Sequence, residues 1–425
     1  MSDTVRARVL EQVDALAPAM TAELADLVRI PSVSGTDAEN DAQHHLATRF
    51  AAAGLDVDRW RIDLAALTAH PDFPGMEVDR TEAWGVVARL PGTGDGPSLM
   101  LNGHVDVVPT GDPHAWADRP FSAEIRAARM FGRGTCDMKA GVIANHWAVQ
   151  AIRSAGVRLR GDLLLATVQG EEDGGLGTFA ALQRGWTADA CVISEPTELD
   201  VIPANSGALT FRLRIRGQAT HAARRTEGVS VIEKFWPVWR SLQELERRRH
   251  DVVDPLTARW ELAHPLSIGS IQAGDWASSV PDLLVAEGRL GVAIGEPVDE
   301  ARRQLEVAVA EACASDPWLR SHPVEIEWWG GQFASGRLPA DSDLVERVRA
   351  AHAVASEQRP HDTYGAPYGS DLRLLTGLGG IPTLQYGPGD VKLAHSPFES
   401  VPIEEVLITA RTLALLALDL CGIAG

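Results

Sequence analysis

The sequence predicts an α/β protein: a mainly parallel sheet flanked by helices, interrupted by a smaller inserted domain of ferredoxin-like α+β type. Three observations lead there. Short apolar runs alternate with helical patterns through the first half of the chain, as in repeated βαβ units. One of those runs, LLLATV within Asp162–Val168, is apolar almost without a break, as expected of a strand covered on both faces. Near Asn205 the pattern changes to clean alternation, Phe211, Leu213 and Ile215 against Arg212, Arg214 and Arg216, the mark of a sheet with one wet face.

In order along the chain, Thr4–Ile30 reads as an amphipathic helix stopped by Pro31, and Asp37–Gly54 as a second helix ending at its glycine. Strands follow at Leu55–Ile62, Trp84–Leu90 and Ser98–Asn102, the first two separated by TAHPDFPGMEVDR, whose Pro and Gly content predicts a surface loop. Ala140–Ala155 is a helix, Asp162–Val168 a strand, Leu176–Arg184 a helix and Ala190–Ile193 a strand. The inserted segment reads as strand Thr210–Arg216, helix Val229–Arg249 with Pro237 kinking it, strands Leu266–Ile271 and Leu283–Ala293, helix Pro297–Ala314 opened by its proline, and strand Val324–Trp329. That βαββαβ order defines the ferredoxin-like expectation. Glycine-containing hinges at Ser206–Gly207 and Gly330–Gly331 bound it, so the expected division is 1–205, 206–330 and 331–425. After Gly331 the first pattern resumes, with helices Ser342–Ser356 and Asp371–Thr376, strand Thr383–Tyr386 and helix Ile403–Leu420.

Composition narrows the function. The chain has 425 residues, 45% apolar and 23% charged, which suits a globular protein of two or three domains. A net charge of −19 argues against nucleic acid or an anionic membrane as partner, since both need a basic surface. Cys136, Cys191, Cys313 and Cys421 are too scattered for a zinc ribbon or a disulfide framework, so reduced thiols in a cytoplasmic protein are expected. The N-terminus lacks the apolar core of a signal peptide, and no run is long enough to span a bilayer.

The chemistry gathers at expected strand ends. In LMLNGHVDVVP, His104 and Asp106 lie two apart and so share a face in extended backbone. Neutral imidazole is a common metal ligand, and a neighbouring carboxylate fixes its tautomer. Asp137 in GRGTCDMKAG, Glu171 and Glu172 in VQGEEDGG, Glu195 in ISEPT and His395 in VKLAHSP complete the set. Open α/β sheets bind ligands beyond the carboxyl ends of their strands, where such loops converge. Adjacent glutamates at a strand mouth repel, and cations relieve that repulsion. One of the pair can hold a metal while the other takes a proton from the water that the metal activates. Each motif alone has a plainer reading: EEDGG as a solvated acidic turn, Asp137 as a helix N-cap, Glu195 as a strand end, His395 as a loop histidine. Five coincidences at strand ends make the plain readings improbable together.

These motifs, in order and with the inserted βαββαβ domain between the fourth and fifth, resemble the dinuclear zinc amidohydrolases that include acetylornithine deacetylase, succinyl-diaminopimelate desuccinylase, aminoacylase and a glutamate-releasing carboxypeptidase. The resemblance implies a zinc-peptidase-like catalytic domain and an inserted lid and dimerisation domain. It implies that Asp137 bridges two divalent ions, zinc in the first place with cobalt or manganese as alternatives. His104 and Glu195 would complete one metal site, Glu172 and His395 the other. Asp106 would orient His104, and Glu171 would be the general base. His221, in GQATHAARR, matches a histidine that reaches a neighbouring subunit's active site and stabilises the oxyanion. Arg289, in AEGRLGV, matches an arginine that grips a substrate carboxylate; a wet-face strand arginine is the alternative. Ser278, in GDWASSVPD, stands where many members have Asn, a departure at a substrate contact, and Gly369 and Ser370 in APYGSDLRLL border the expected substrate pocket.

The expected activity is hydrolysis of the amide bond of a small N-acyl amino acid by a cytoplasmic homodimer joined through the inserted domain. Glu rather than Asp at 195 leans away from aminopeptidases. The alternatives are a dipeptidase or carboxypeptidase, a deformylase or deacylase of an amine that is not an amino acid, and a degenerate binding protein on the same fold. Occupied metal and base positions argue against the last.

Overall fold

The computed structural model describes residues 3–359 and 361–425. The chain divides into two compact units, one formed by 1–204, 337–364 and 371–425, the other by 205–336 and 365–370. The second unit thus runs past the glycine pair at 330 and 331, and takes in a short return segment.

The first unit runs α1 (Asp3–Val28), α2 (Asp37–Ala52), β1 (Asp56–Arg61), α3 (Leu64–Thr68), β2 (Trp84–Leu90), β3 (Leu99–His104), β4 (Glu124–Arg126), β5 (Arg129–Phe131), α4 (Ala140–Ser154), β6 (Leu163–Val168), α5 (Leu176–Gln183), β7 (Ala190–Ile193) and β8 (Val201–Asn205). The second holds β9 (Gly207–Arg216), α6 (Val231–Arg249), β10 (Leu266–Ala273), β11 (Leu283–Val292), α7 (Val298–Ser315) and β12 (Glu325–Phe333). The chain closes with β13 (Gly336–Arg337), α8 (Leu344–Ala355), β14 (Thr363–Ala366), β15 (Thr383–Gln385), β16 (Ser400–Pro402) and α9 (Ile403–Leu420).

The large sheet has the order β1-β2-β6-β3-β7-β15-β8-β13, with β14 beside β8. Its middle strands β6, β3, β7 and β15 run parallel, whereas β1, β2 and β8 join antiparallel at the flanks. Alternate residues of the parallel strands serve two cores. Leu99, Leu101, Leu163, Leu165 and Val192 pack with α1, α2, α4, α8 and α9. Met100, Leu164, Ala166, Cys191 and Ile193 pack on the other face with Ala181 of α5 and with Leu372 and Leu375. Burial on both faces is why β6 and β7, and the first half of β3, read as nearly unbroken apolar runs. The short strands β4, β5 and β16 form a separate small sheet.

The second unit is an antiparallel sheet of order β10-β11-β9-β12, the ferredoxin-like arrangement. Leu209, Phe211, Leu213 and Ile215 face α6 and α7, while Arg212, Arg214 and Arg216 on the wet face pair with Glu287, Glu327 and Glu325. The helix α6 runs unbroken through Pro237.

The turn-rich stretch ending at Arg80 is a mostly exposed or half-buried loop, as expected, but its last side chain turns inward: Arg80 is bonded bidentately to both Glu39 and Asp173 at 2.8–2.9 Å. Pro and Gly in the sequence signal turns, and the end of such a segment is still drawn inward when its last residue answers two buried carboxylates.

Candidate metal centre

All five proposed ligands lie in the first unit, three of them at or shortly beyond the carboxyl ends of its parallel strands. His104 is the last residue of β3, Glu172 follows β6, Glu195 follows β7, and His395 lies in the segment between β15 and β16. Asp137 sits between β5 and α4, where a cis peptide joins it to Met138.

Asp137 stands between two imidazoles. Its Oδ1 is 3.2 Å from His104 Nε2, and its Oδ2 is 3.2 Å from His395 Nε2. Glu195 Oε2 lies 3.9 Å from His104 Nε2, and Glu172 Oε2 lies 3.1 Å from His395 Nε2. One oxygen of a shared carboxylate thus faces each histidine, and each histidine has a second carboxylate of its own. His104 is buried, whereas the His395 side chain is 54% exposed and leaves the cluster open on its side.

Asp106 meets His104 mainly through its backbone. His104 Nδ1 lies 2.9 Å from the Asp106 main-chain oxygen and 3.7 Å from Oδ1. The Asp106 carboxylate instead accepts the N–H groups of Glu171 at 3.2 Å and Glu172 at 3.1 Å, and so fixes both glutamates. Beyond them the chain turns sharply at Gly175, with φ of 92°, where a Cβ would come within 2.6 Å of Asp371 Oδ1. Only glycine fits that position without strain.

Charge explains what the cluster needs. Burial pushes the Glu195 carboxyl up to about 8 and raises those of Glu171 and Glu172, the last with Asp137 adding to the effect. Glu172, against its burial, raises His395 to about 11. For Asp137 burial opposes ionisation, but the two histidines prevail and hold it well below the usual carboxylate range. These directions describe carboxylates and imidazoles crowded together in a largely buried place.

The residues present fit a pair of divalent ions. Two imidazole nitrogens with several carboxylate oxygens form the mixed donor set of zinc and its first-row neighbours. Ligand atoms of His104, Asp137 and Glu172 all lie within 4.8 Å of one another. Beside them Glu171 Oε1 is buried and has no hydrogen-bond partner among the described residues.

The remaining candidates lie in the second unit. His221 is exposed and accepts the Ala223 N–H on Nδ1 at 3.1 Å, which leaves the ring proton on Nε2 and makes that nitrogen a donor. Ser278 is its neighbour, accepting the Ala222 N–H at 2.8 Å through its carbonyl oxygen. The Arg289 guanidinium lies 5.9 Å from the Phe333 ring centroid, and Phe333 packs against Gly369, which is followed by Ser370. The unit therefore gathers its candidates into two groups, His221 with Ser278 and Arg289 with Gly369.

Several buried charges around the proposed ligands were not singled out from the sequence. Asp371 accepts a 2.5 Å hydrogen bond from Thr178, and Arg373 donates to the Gly174 carbonyl at 2.6 Å. Glu399 and Arg133 form another such pair beneath Asp137. For Arg133 and Glu399 the available signal was a charged residue close in sequence to a proposed ligand, as in GRGTCD and HSPFE.

Comparison with known proteins places these observations. A family model described as Peptidase family M20/M25/M40 matches residues 100–419. The chain is 28% identical over 406 residues to N-formyl-4-amino-5-aminomethyl-2-methylpyrimidine deformylase of Halalkalibacterium halodurans, covering 90% of this chain and 89% of that protein. It is 34% identical over 275 residues to succinyl-diaminopimelate desuccinylase of Dechloromonas aromatica, covering 61% and 69%. Among solved structures, the di-peptidase Dug1p of Saccharomyces cerevisiae aligns with a TM-score of 0.78 at 15% identity, covering 98% of each chain, a likeness of fold.

Proposed function

The chain belongs to peptidase family M20/M25/M40, and on that premise we propose that it is a deacylase that releases a small amine, in the first place an amino acid, from its N-acyl form. It is a hydrolase of amide bonds with a site for divalent metal. The observation that carries the reading is Asp137, with one carboxylate oxygen 3.2 Å from each of two histidines and the unpartnered Glu171 oxygen nearby.

In this reading His104, Glu195, Asp137, Glu172 and His395 hold two ions, zinc before cobalt or manganese. Such ions, when bound, make water acidic and polarise a carbonyl. Glu171 takes the proton of the attacking water on its free oxygen and returns it to the leaving nitrogen. A carboxylate whose proton affinity is raised by burial suits both transfers. Asp106 keeps the Glu171 and Glu172 backbone in register. His221 offers its Nε2–H to the oxyanion in a partner subunit of a homodimer formed through the second unit. Arg289, Ser278, Gly369 and Ser370 contact the substrate. The enzyme works in the cytoplasm, which its four free, buried thiols suit, and its acidic surface takes no nucleic acid. Among the described residues no helix is long and apolar enough to cross a membrane.

A second substrate reading has specific support: the amine is heterocyclic and the acyl group formyl. The deformylase relative covers nearly the whole chain, and Ser278 departs from the family pattern at a substrate contact. A panel of acetyl-, succinyl- and formyl-amines with dipeptides, assayed for released amine with and without chelator, decides. Chelator-sensitive release from acyl-amino acids supports the first reading and from formyl-amines the second. Release from dipeptides alone, or from nothing, contradicts both.

A further inference from the structure

Glu399 lies four residues beyond His395, and its side chain is fully buried. Its Oε1 accepts the backbone N–H of Cys136 at 3.2 Å and of Asp137 at 3.3 Å. Its Oε2 accepts from Arg133 Nη1 at 2.5 Å. Arg133 is in turn fixed by the Pro109 carbonyl at 3.3 Å and by the Trp116 ring, 5.2 Å from the guanidinium carbon. Two residues past Asp137, the Lys139 ammonium is tied to the carbonyls of Leu27 and Ile30 at 3.2 and 2.8 Å. The backbone that presents Asp137 is therefore gripped from both ends.

The arrangement repeats the one at the neighbouring ligand loop, where Asp106 accepts the N–H groups of Glu171 and Glu172. In both places a buried carboxylate holds two successive N–H groups of a segment that bears a proposed ligand. A buried ion pair is a poor source of net stability, because desolvation offsets the attraction. Outer partners that orient metal ligands do affect metal affinity, by about 10–100-fold when removed.

We propose that Glu399, held by Arg133, is a positioning residue for the metal centre: it sets the Cys136–Asp137 backbone so that Asp137 turns one oxygen towards each histidine. This rests on the reading of the cluster as a metal site. In E399Q the amide oxygen can still accept, but its NH₂ group then meets the Arg133 donors, and the segment must shift. In R133K the charge remains but the fixed fork and the contact with Trp116 are lost.

The test uses the full-length protein stripped of metal and reloaded with Co²⁺. Wild type, E399Q, R133K and the control E23Q, which breaks a buried carboxylate pairing with His146 and Arg49, are compared by chelator titration, cobalt absorption spectrum and thermal melting of the metal-free form. The expected result is that E399Q loses cobalt at about 10–100-fold lower chelator with an altered spectrum, that R133K shifts the same way, and that E23Q melts lower but keeps the wild-type midpoint and spectrum. If E399Q does not fold, R133K decides. A folded E399Q or R133K with wild-type midpoint and spectrum overturns the proposal, as does an equal shift in E23Q. A wild type that holds no cobalt rejects the metal-site reading itself.

Discussion

Glu171 and Glu172 are neighbours in sequence and differ in task because of what surrounds each carboxylate. Glu172 lies against His395, whereas Glu171 Oε1 has no hydrogen-bond partner among the described residues. Glu171→Gln keeps size and shape but cannot take a proton. It is expected to lower kcat by about 10²–10⁴ with metal content unchanged by elemental analysis. Near-wild-type turnover in the metal-loaded variant removes Glu171 from the mechanism. A second residue-scale prediction concerns acid stability. Burial opposes ionisation of Glu23, but the His146 hydrogen bond with Arg49 outweighs it and holds the carboxyl at about 2. An unfolded glutamate titrates near 4.5. The folded carboxyl is the stronger acid, so its contribution is complete above that value and fades as pH falls towards 2, a loss of roughly 3 kcal/mol. Denaturant unfolding between pH 5 and about 2 should show Glu23→Gln flattening this part of the profile; an unchanged slope contradicts the assignment. The proposed ligands His104, Glu172 and Glu195 were legible in the sequence because they stand at or shortly after apolar strands. Arg80, Glu399 and Asp371 were not, since a buried charge follows no periodicity and is recognised only through partners far along the chain.

At the level of elements, β6, β7 and the first half of β3 could be read directly because a strand covered on both faces is mostly apolar. The alternation in β9 gave the second unit's wet face equally well. Strands β4, β5 and β16 went unread, since three residues each carry too little pattern, and β16 pairs with β5 from the far end of the chain. The antiparallel flanks of the large sheet were also hidden, because strand direction depends on connections rather than on composition. In the second unit β10 is an edge strand with Ile271 exposed, and α6 packs on it while exposing Ile232 and Trp236. Exposed edges and apolar patches of this kind invite pairing with another copy. If the proposed homodimer forms through this face, Trp236→Glu with Ile232→Glu should turn it into a monomer by light scattering. A variant that keeps the wild-type mass moves the interface elsewhere.

For the whole molecule, the proposed proton-transfer group and the proposed oxyanion donor belong to different units, Glu171 to the first and His221 to the second. If His221 serves a partner's site, His221→Ala should slow turnover by about 10²–10³ without loss of metal. Mixing it with Glu171→Gln under subunit exchange should then restore activity, since one hybrid site carries both wild-type groups. No recovery after exchange is demonstrated excludes the shared site.

In the proposed centre Asp137 would join two metal ions into one hydrolytic site. The most direct test is the count of divalent ions per chain in wild type and in Asp137→Ala, measured beside amide hydrolysis. The account predicts two ions and activity in the wild type, and loss of both bound metal and hydrolysis in the variant. Hydrolysis by a wild type free of divalent ions, or an Asp137→Ala protein that keeps both ions and turns over, contradicts it.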